Sequence, residues 1–257
     1  MTEYCCIRLI FYAWKSCLFV INCVGLHKGR LYMKDLSFKG YIKRILLVVL
    51  GLALSAYGIG MTIYADLGLA PWDVFNQGVA LQLQKHFGIE VMMGTVSQVT
   101  CAFIIIIVLL LKEPIGISTI LDTILFGGFL NFFMKHNLLP STEIYAMRFV
   151  LLGAGFIVWA IGVYLYMQPQ LGAGPRDSLM IALAKRGVSV SIARNSTELF
   201  ALAVGWLCGG KVGIGTVISV FFIGYILQIV FKIVKFDATK IKNESIIESA
   251  KNLLKKA

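Results

Sequence analysis

The chain has 257 residues, of which 58% are apolar and 14% are charged, and its formal net charge is +11. Soluble domains have about 45–50% apolar and about 25% charged residues, and here the apolar residues are concentrated in long runs. This composition excludes an ordinary soluble domain. The basic residues flank the apolar runs, which indicates membrane topology rather than nucleic-acid binding, so the lipid bilayer is the first partner that the sequence predicts.

Residues 1–42 precede the first long apolar run and are predicted to be a basic cytoplasmic segment. Within them, residues 1–32 lack the continuous apolar core that a signal peptide requires. Met33 and the basic stretch after it are typical of the start of a membrane protein. We therefore expect residues 1–32 to lie upstream of the true initiator, Met33, with an interfacial helix at 9–26 as the alternative.

Five apolar runs have about the 20 residues that a helix needs to cross a bilayer. Their ranges are 45–64, 91–111, 115–134, 149–167 and 212–231. A sixth run, at 191–210, is weaker because its first part is polar and carries Arg194 and Glu198. We predict an all-α integral membrane protein in which six helices span the bilayer.

Two shorter segments, 71–87 and 175–186, also have helical patterns. The first has one apolar face but is otherwise rich in amide side chains. The second is too short to cross a bilayer at 1.5 Å per residue. We predict that both are interfacial or re-entrant helices.

Two motifs occur twice and in the same order, which indicates an internal duplication. The sequence LGLAPWD at 67–73 matches LGAGPRD at 171–177, and GIST at 116–119 matches GIGT at 213–216. The predicted organisation after the N-terminal segment is a first membrane repeat at 43–135, a second at 146–235 and a cytoplasmic amphipathic tail at 236–257.

Three spans per repeat is an odd number, so the second repeat must enter the bilayer from the opposite side, which makes the repeats inverted. In the alternative, both short segments cross, and eight spans form two parallel four-helix repeats. The distribution of Lys and Arg fits both arrangements, with both termini in the cytoplasm. We favour six spans because each Asp, Lys or Arg costs about 2.5–3.5 kcal/mol at the centre of a membrane helix.

The LGxxPxD motifs supply most candidate site residues. A proline suits the first position of a helix, and an aspartate two positions later interacts with the free N–H groups and the positive helix end. Capping alone is one interpretation. In the other, the glycines break the chain so that both short helices point into a cavity, as in transporters with discontinuous helices. The motif residues assigned to such a substrate site are Gly68, Pro71, Trp72, Asp73, Gly172, Pro175, Arg176 and Asp177.

The two motifs differ beside their aspartates. Arg176 offers Asp177 a compensating charge, which favours the ionised carboxylate, whereas Trp72 offers Asp73 an aromatic face. We therefore expect Asp177 to have the more structural role and Asp73 the more functional one.

Three further charged residues are candidates for the same site. Arg194 and Glu198 are four residues apart and share a helix face, so they form either a local ion pair or, through Glu198, a proton or cation site. Asp122 lies inside an apolar run and aligns with Ser219 in the second repeat. It is either a hydrogen-bonded acid within the helix packing or part of a pathway.

The sequence has no CxxC pair, no phosphate-binding glycine loop and no Ser/His/Asp set, and its three histidines are isolated. We therefore predict that the protein is not an enzyme and has no metal or other cofactor.

At the LGxxPxD and GI[SG]T motifs, over residues 43–235, the chain resembles the YitT/YczE family of bacterial membrane proteins. The second half is the closer match, through 171–177 and 213–216. The resemblance implies a polytopic membrane protein of a family often regarded as permeases, and a start near Met33. It implies no substrate.

These observations predict a multi-pass protein of the inner membrane that acts as a permease for a small molecule or ion. Its site is expected between the two LGxxPxD motif helices. The alternative is a non-transporting accessory or regulatory membrane protein, and either protein could form a homo-oligomer.

Overall fold

The computed structural model describes residues 38–188, 190–236, 244–246, 248, 249 and 251. The predictions about the initiator Met33 and a helix at 9–26 lie outside these residues. The described residues form eight helices and no strand: α1 (Phe38–Tyr64), α2 (Pro71–Phe87), α3 (Met93–Leu110), α4 (Ile117–Lys135), α5 (Tyr145–Met167), α6 (Pro175–Ala184), α7 (Val190–Leu207) and α8 (Ile214–Ile233).

Five of these helices are long and apolar enough to span a bilayer, namely α1, α3, α4, α5 and α8. They correspond to the five strong runs of the sequence. The weaker sixth run forms α7, which does not meet the same measure because Arg194, Asn195 and Glu198 lie in its first half. The two short segments form α2 and α6.

Helices α1 and α5 pack against each other along most of their length, and they run antiparallel. A Cβ on Gly51 would lie 2.8 Å from the carbonyl oxygen of Gly162, and one on Gly58 would lie 2.7 Å from that of Gly155. The later residue of α1 contacts the earlier residue of α5, so the two helices run in opposite directions. Glycines at these positions let the two backbones touch, as in other membrane helix pairs.

The bundle has two ends, which we name after the charged residues that mark them. At the Asp66 end, the Asp66 carboxylate follows α1 and pairs with Arg148 at 3.0 Å and with Lys211. The hydrogen bond from Lys211, with the charges of Lys211 and Arg148, holds the pKa of Asp66 below its ordinary value. At the Arg44 end, Arg44 donates to the Pro169 carbonyl and pairs with Glu244 at 3.1 Å.

Part of the predicted tail is bound at the Arg44 end. The Glu244 backbone N–H donates to the carbonyl of Gln170, and the Ile246 N–H donates to that of Ile115. These bonds connect the tail to the segments that follow α5 and precede α4.

Each LGxxPxD segment binds the GI[SG]T segment of the other half. The Gly215 N–H donates to the Leu67 carbonyl at 2.7 Å, and the Ser118 N–H donates to the Leu171 carbonyl at 2.9 Å. Residues 67 and 171 are equivalent in the two motifs, as are 118 and 215, so the two bonds form a matched exchange between halves.

The motif glycines make this exchange possible. Gly68 and Gly172 have φ angles of +116° and +129°, in a region that residues with a Cβ rarely adopt. A Cβ on Gly68 would lie 2.8 Å from Gly213 Cα, and one on Gly172 would lie 2.7 Å from Gly116 Cα. Both the backbone conformation and the lack of space therefore require glycine.

After each of these hydrogen-bonded segments the chain turns into the interior of the bundle, and a short helix then runs from the interior to one end. Helix α2 runs to the Asp66 end, where Gln77 accepts from the Lys211 N–H and Gln82 donates to the Cys208 carbonyl. The end of α6 lies near the Arg44 end, where Lys185 pairs with Glu113 at 2.6 Å. The two short helices thus begin inside the bundle and end at its opposite ends.

Candidate functional site

A cavity of about 600 Å³, which we call the central cavity, lies between the first turns of α2 and α6. Its walls also include residues of α1, α4, α5, α7 and α8. Five aromatic side chains line it, including Trp159 and Tyr166 of α5. The candidate residues that line it are Pro71, Trp72, Asp73, Asp122, Arg176, Asp177, Arg194 and Glu198.

The remaining three candidates lie outside the lining. Gly68 and Gly172 contact the GI[SG]T segments of the opposite halves. Pro175 is buried at the first position of α6. These residues position the two short helices without facing the central cavity.

The two short helices meet at their N-terminal ends. The Arg176 guanidinium of α6 lies over the Trp72 ring of α2, 4.7 Å from its centroid. One Arg176 nitrogen, Nη2, donates to Ser97 Oγ at 3.3 Å, while Nε has no hydrogen-bond partner among the described residues. Arg176 thus connects the two motifs and α3.

The prediction that Arg176 offers its neighbour Asp177 a compensating charge is not matched by an ion pair here. The ion pairs of the described residues do not include Arg176 with Asp177. The Arg176 guanidinium lies over the Trp72 ring and donates to Ser97 Oγ. The reason is that successive residues of a helix point in different directions, and the Trp72 face lies where the Arg176 side chain extends.

Asp73 is buried, with 5% of its surface exposed. It lines the central cavity, and its carboxyl group receives no hydrogen bond from the described residues. A buried carboxylate is costly without a partner. The nearby positive charge of Arg176 and the N-terminal end of α2 lower that cost.

Asp122 and Asp177 converge on Gly174. A Cβ at that glycine would lie 2.8 Å from Asp122 Oδ2 and 3.7 Å from Asp177 Oδ2. The Tyr166 hydroxyl donates to Asp177 Oδ2 at 3.4 Å. Two carboxyl groups and a hydroxyl therefore surround the point where the chain enters α6, an arrangement that can hold a proton or a small cation.

Arg194 and Glu198 form the predicted ion pair on α7, with Arg194 Nε 3.2 Å from Glu198 Oε1. Both side chains also line the central cavity and a second cavity of about 560 Å³ that lies between α7 and α8. The charged groups of the central cavity are the carboxyl groups of Asp73, Asp122, Asp177 and Glu198 and the guanidinium groups of Arg176 and Arg194.

Sequence reasoning missed Trp159, Tyr166 and Ser97 as residues of this site. Trp159 and Tyr166 lie seven residues apart on one face of α5, close to the glycines that contact α1. That spacing indicated that Tyr166 is buried on the packed face of α5, and a buried tyrosine hydroxyl needs a hydrogen-bond partner. Tyr166 could therefore have been predicted as a site residue. Ser97 gave no signal, because small hydroxyl residues are common in membrane helices.

Buried glycine contacts, long apolar helices and a charged cavity between them define the class of the molecule: a polytopic helical membrane protein. The chain belongs to a family of unknown function (DUF6198), whose model matches residues 42–232. This agrees with the predicted YitT/YczE resemblance.

Similar proteins include three from two bacteria. The chain is 35% identical to the uncharacterized membrane protein YczE of Bacillus subtilis over 181 residues, covering 69% of this chain and 80% of YczE. It is 32% identical to an uncharacterized protein of Haemophilus influenzae over 193 residues, covering 75% and 85% of the two chains. The uncharacterized protein YyaS of Bacillus subtilis is 26% identical over 190 residues, covering 72% and 91%. No solved structure matches the chain.

Proposed function

We propose that the protein is a secondary permease for a small cationic solute. The observation that carries this proposal is the central cavity between the first turns of two short helices, which begin inside the bundle and end at its opposite ends. Pockets of about 300–1,000 Å³ hold small molecules, and the central cavity, at about 600 Å³, lies in that range. Discontinuous helices that meet inside the bundle form the substrate sites of many secondary transporters.

The charged lining favours a cation over an anion, because carboxyl groups outnumber guanidinium groups. The Trp72 face already holds one cation, the Arg176 guanidinium, and aromatic faces attract organic cations in the same way. Asp73 supplies a buried carboxyl group without a hydrogen bond from the described residues. A bound cation or a proton would neutralise its charge.

The proposed topology has six spanning helices in two inverted repeats, with α2 and α6 as re-entrant helices. The antiparallel direction of α1 and α5 supports it, because two parallel repeats would make these equivalent helices parallel. The matched hydrogen bonds of Leu67 and Leu171 with the opposite halves also support a two-fold relation.

We assign the Arg44 end to the cytoplasm, because cytoplasmic loops of inner-membrane proteins are enriched in Lys and Arg. Both the start of α1 and Glu244 lie at this end, so both termini are assigned to the cytoplasm. The basic residues at the Arg44 end include Lys39, Lys43, Lys112, Lys185 and Arg186.

The experiment that tests the proposal is a flux assay with purified protein in liposomes. The solutes would be small organic amines, guanidines and monovalent metal ions, with small carboxylates as the anionic comparison, each with and without a proton gradient. We expect saturable uptake of at least one cationic solute and none of the carboxylates. Folded protein, judged by its melting temperature, that moves none of the cations would contradict the proposal and favour the non-transporting accessory role.

A further inference from the structure

The two halves differ at one pair of equivalent helix contacts. In the first half, α3 and α4 pack closely near the Asp66 end. Gln98 Nε2 donates to the Ile124 carbonyl, and the Gly94 N–H donates to Asn131 Oδ1 at 2.9 Å. A Cβ on Gly127 would lie 2.6 Å from Gln98 Cγ, so this glycine allows the close approach.

The second half carries the same residue types at the equivalent positions. The GI[SG]T motifs are 97 residues apart, and that offset relates Gln98 to Asn195, Gly127 to Gly224 and Asn131 to Gln228. An amide, a glycine and an amide thus recur on α7 and α8 in the same places.

In the structure, however, α7 and α8 hardly touch in the described part of the chain. A Cβ on Gly224 would meet no described atom within 4 Å. Asn195, Gly224 and Gln228 instead line the second cavity, which extends to Lys232 and Phe236 near the Arg44 end. We call this gap the α7–α8 seam.

The α7–α8 seam leads from the Arg44 end to the central cavity. The two cavities share five lining residues: Arg194, Glu198, Ile223, Leu227 and Phe231. The equivalent α3–α4 contact is closed, and it lies at the opposite end of the bundle. In the described part of the chain, the central cavity is therefore continuous with a gap at the Arg44 end, while the equivalent contact toward the Asp66 end is closed.

We infer that the α7–α8 seam is a gate that closes as the α3–α4 contact opens. In the closed state, Asn195, Gly224 and Gln228 take the contacts that Gln98, Gly127 and Asn131 make now. Inverted repeats produce alternating access in this way, because each half can adopt the packing of the other. The inference rests on the proposed function, because it uses the inverted-repeat topology proposed there to treat the two halves as equivalent.

The test uses cysteine pairs in a variant without native cysteines, and it measures no flux. Thr95→Cys with Asn131→Cys spans the α3–α4 contact, where Asn131 Nδ2 now donates to Thr95 Oγ1 at 2.8 Å. Ile192→Cys with Gln228→Cys is the equivalent pair across the α7–α8 seam. A short bismaleimide traps each closed contact as it forms, so even a sparsely populated state accumulates as cross-linked protein.

We expect rapid cross-linking at 95/131 and slower but complete cross-linking at 192/228. In a variant with all four cysteines, either cross-link should prevent the other. Failure of 192/228 to cross-link in protein that cross-links at 95/131 would overturn the inference, as would both cross-links in one molecule.

A wedge in the seam gives a second test with a matched control. Gly224→Leu should stop cross-linking at 192/228 and leave 95/131 unchanged, because the added side chain occupies the closed contact. Gly153→Leu is the control, since a Cβ there also meets no described atom within 4 Å but lies on α5, away from the seam. Equal 192/228 cross-linking rates in the two variants would overturn the gate. Because both tests report conformation alone, they stand apart from any failure to find a transported solute.

Discussion

The carboxyl group of Asp73 sits in an environment that would be costly for a purely structural residue. It is buried beside the N-terminal end of α2, and the described residues give it no hydrogen bond. A capping role needs only an oxygen acceptor, which asparagine also has. A cation site needs the charge itself, so one substitution separates the two interpretations.

We predict that Asp73→Asn lowers transport more than Asp177→Asn does. Asp177 accepts a hydrogen bond from Tyr166, which an asparagine oxygen can still accept, whereas Asp73 offers mainly its charge. A charge-assisted interaction is worth about 1.5–3 kcal/mol, so flux at low solute concentration should fall by about ten-fold to a hundred-fold for Asp73→Asn. The measurement is initial uptake in liposomes at matched protein content.

The melting temperature in detergent separates this loss from misfolding. Asp73→Asn should leave it unchanged or raise it, because the substitution removes a poorly solvated charge. Similar small losses of flux in both variants would show that Asp73 and Asp177 act only as helix caps.

At the residue scale, the sequence predicted which residues meet but not how they pair. Motif position identified Asp73, Asp177, Arg176 and Trp72, and all four line the central cavity. The contact of Arg176 with Trp72 joins residues about 100 positions apart, and local spacing carries no information about such a pair. The i, i+4 pair of Arg194 and Glu198 was predictable because one helix turn brings the two side chains together.

Among the helices, the contact of α1 with α5 organises the rest of the bundle. Lipid gives little hydrophobic driving force for helix association, so close backbone approach at small residues supplies much of the stability. Gly58 lies at this contact, where an added Cβ would be 2.7 Å from the Gly155 carbonyl and would also meet the Trp159 backbone. Backbone atoms cannot rotate away from a new side chain, so the helices would have to separate.

We predict that Gly58→Leu lowers the melting temperature in detergent and reduces the yield of monodisperse protein. Overpacking costs typically about 1–3 kcal/mol, and the rigid neighbours of Gly58 suggest the upper part of that range. Gly153→Leu on α5 adds the same side chain into open space and should behave like the parent. Equal melting temperatures for the two variants would show that α1 and α5 do not pack as described.

Element boundaries were predictable to within a few residues for most long helices, because the bilayer thickness imposes a length that the apolar runs display. The short helices were also predictable, since Pro71 and Pro175 fix their starts. The exchange of motif segments between halves was not, because hydrogen bonds such as that from Gly215 to Leu67 depend on tertiary packing.

At the scale of the whole molecule, one pseudo-symmetric arrangement accounts for the separate observations. The equivalent helices α1 and α5 are antiparallel, the equivalent helices α2 and α6 end at opposite ends, and the motif segments exchange equivalent bonds. In the proposed inverted-repeat arrangement, a two-fold axis in the membrane plane would relate all three. The open α7–α8 seam and the closed α3–α4 contact depart from that symmetry, as the proposed gate requires.

The topology itself makes the last prediction, through two lysines that change sides between the competing arrangements. Six spans with re-entrant α2 and α6 put Lys85 outside the cell and Lys112 in the cytoplasm, whereas eight spans reverse both. Lys85 lies in the exposed last turn of α2, and Lys112 is exposed in the turn after α3, so a cysteine at either position is accessible to a reagent. Lys211 is outside in both arrangements and serves as the positive control.

In a variant without native cysteines, a membrane-impermeant thiol reagent applied to intact cells should label Lys85→Cys and Lys211→Cys but not Lys112→Cys. After the cells are opened, Lys112→Cys should label as strongly as the others, which excludes a cysteine that is merely buried. Labelling of Lys112→Cys in intact cells, together with protection of Lys85→Cys, would require eight spans and would refute the inverted arrangement, because it would make α1 and α5 parallel.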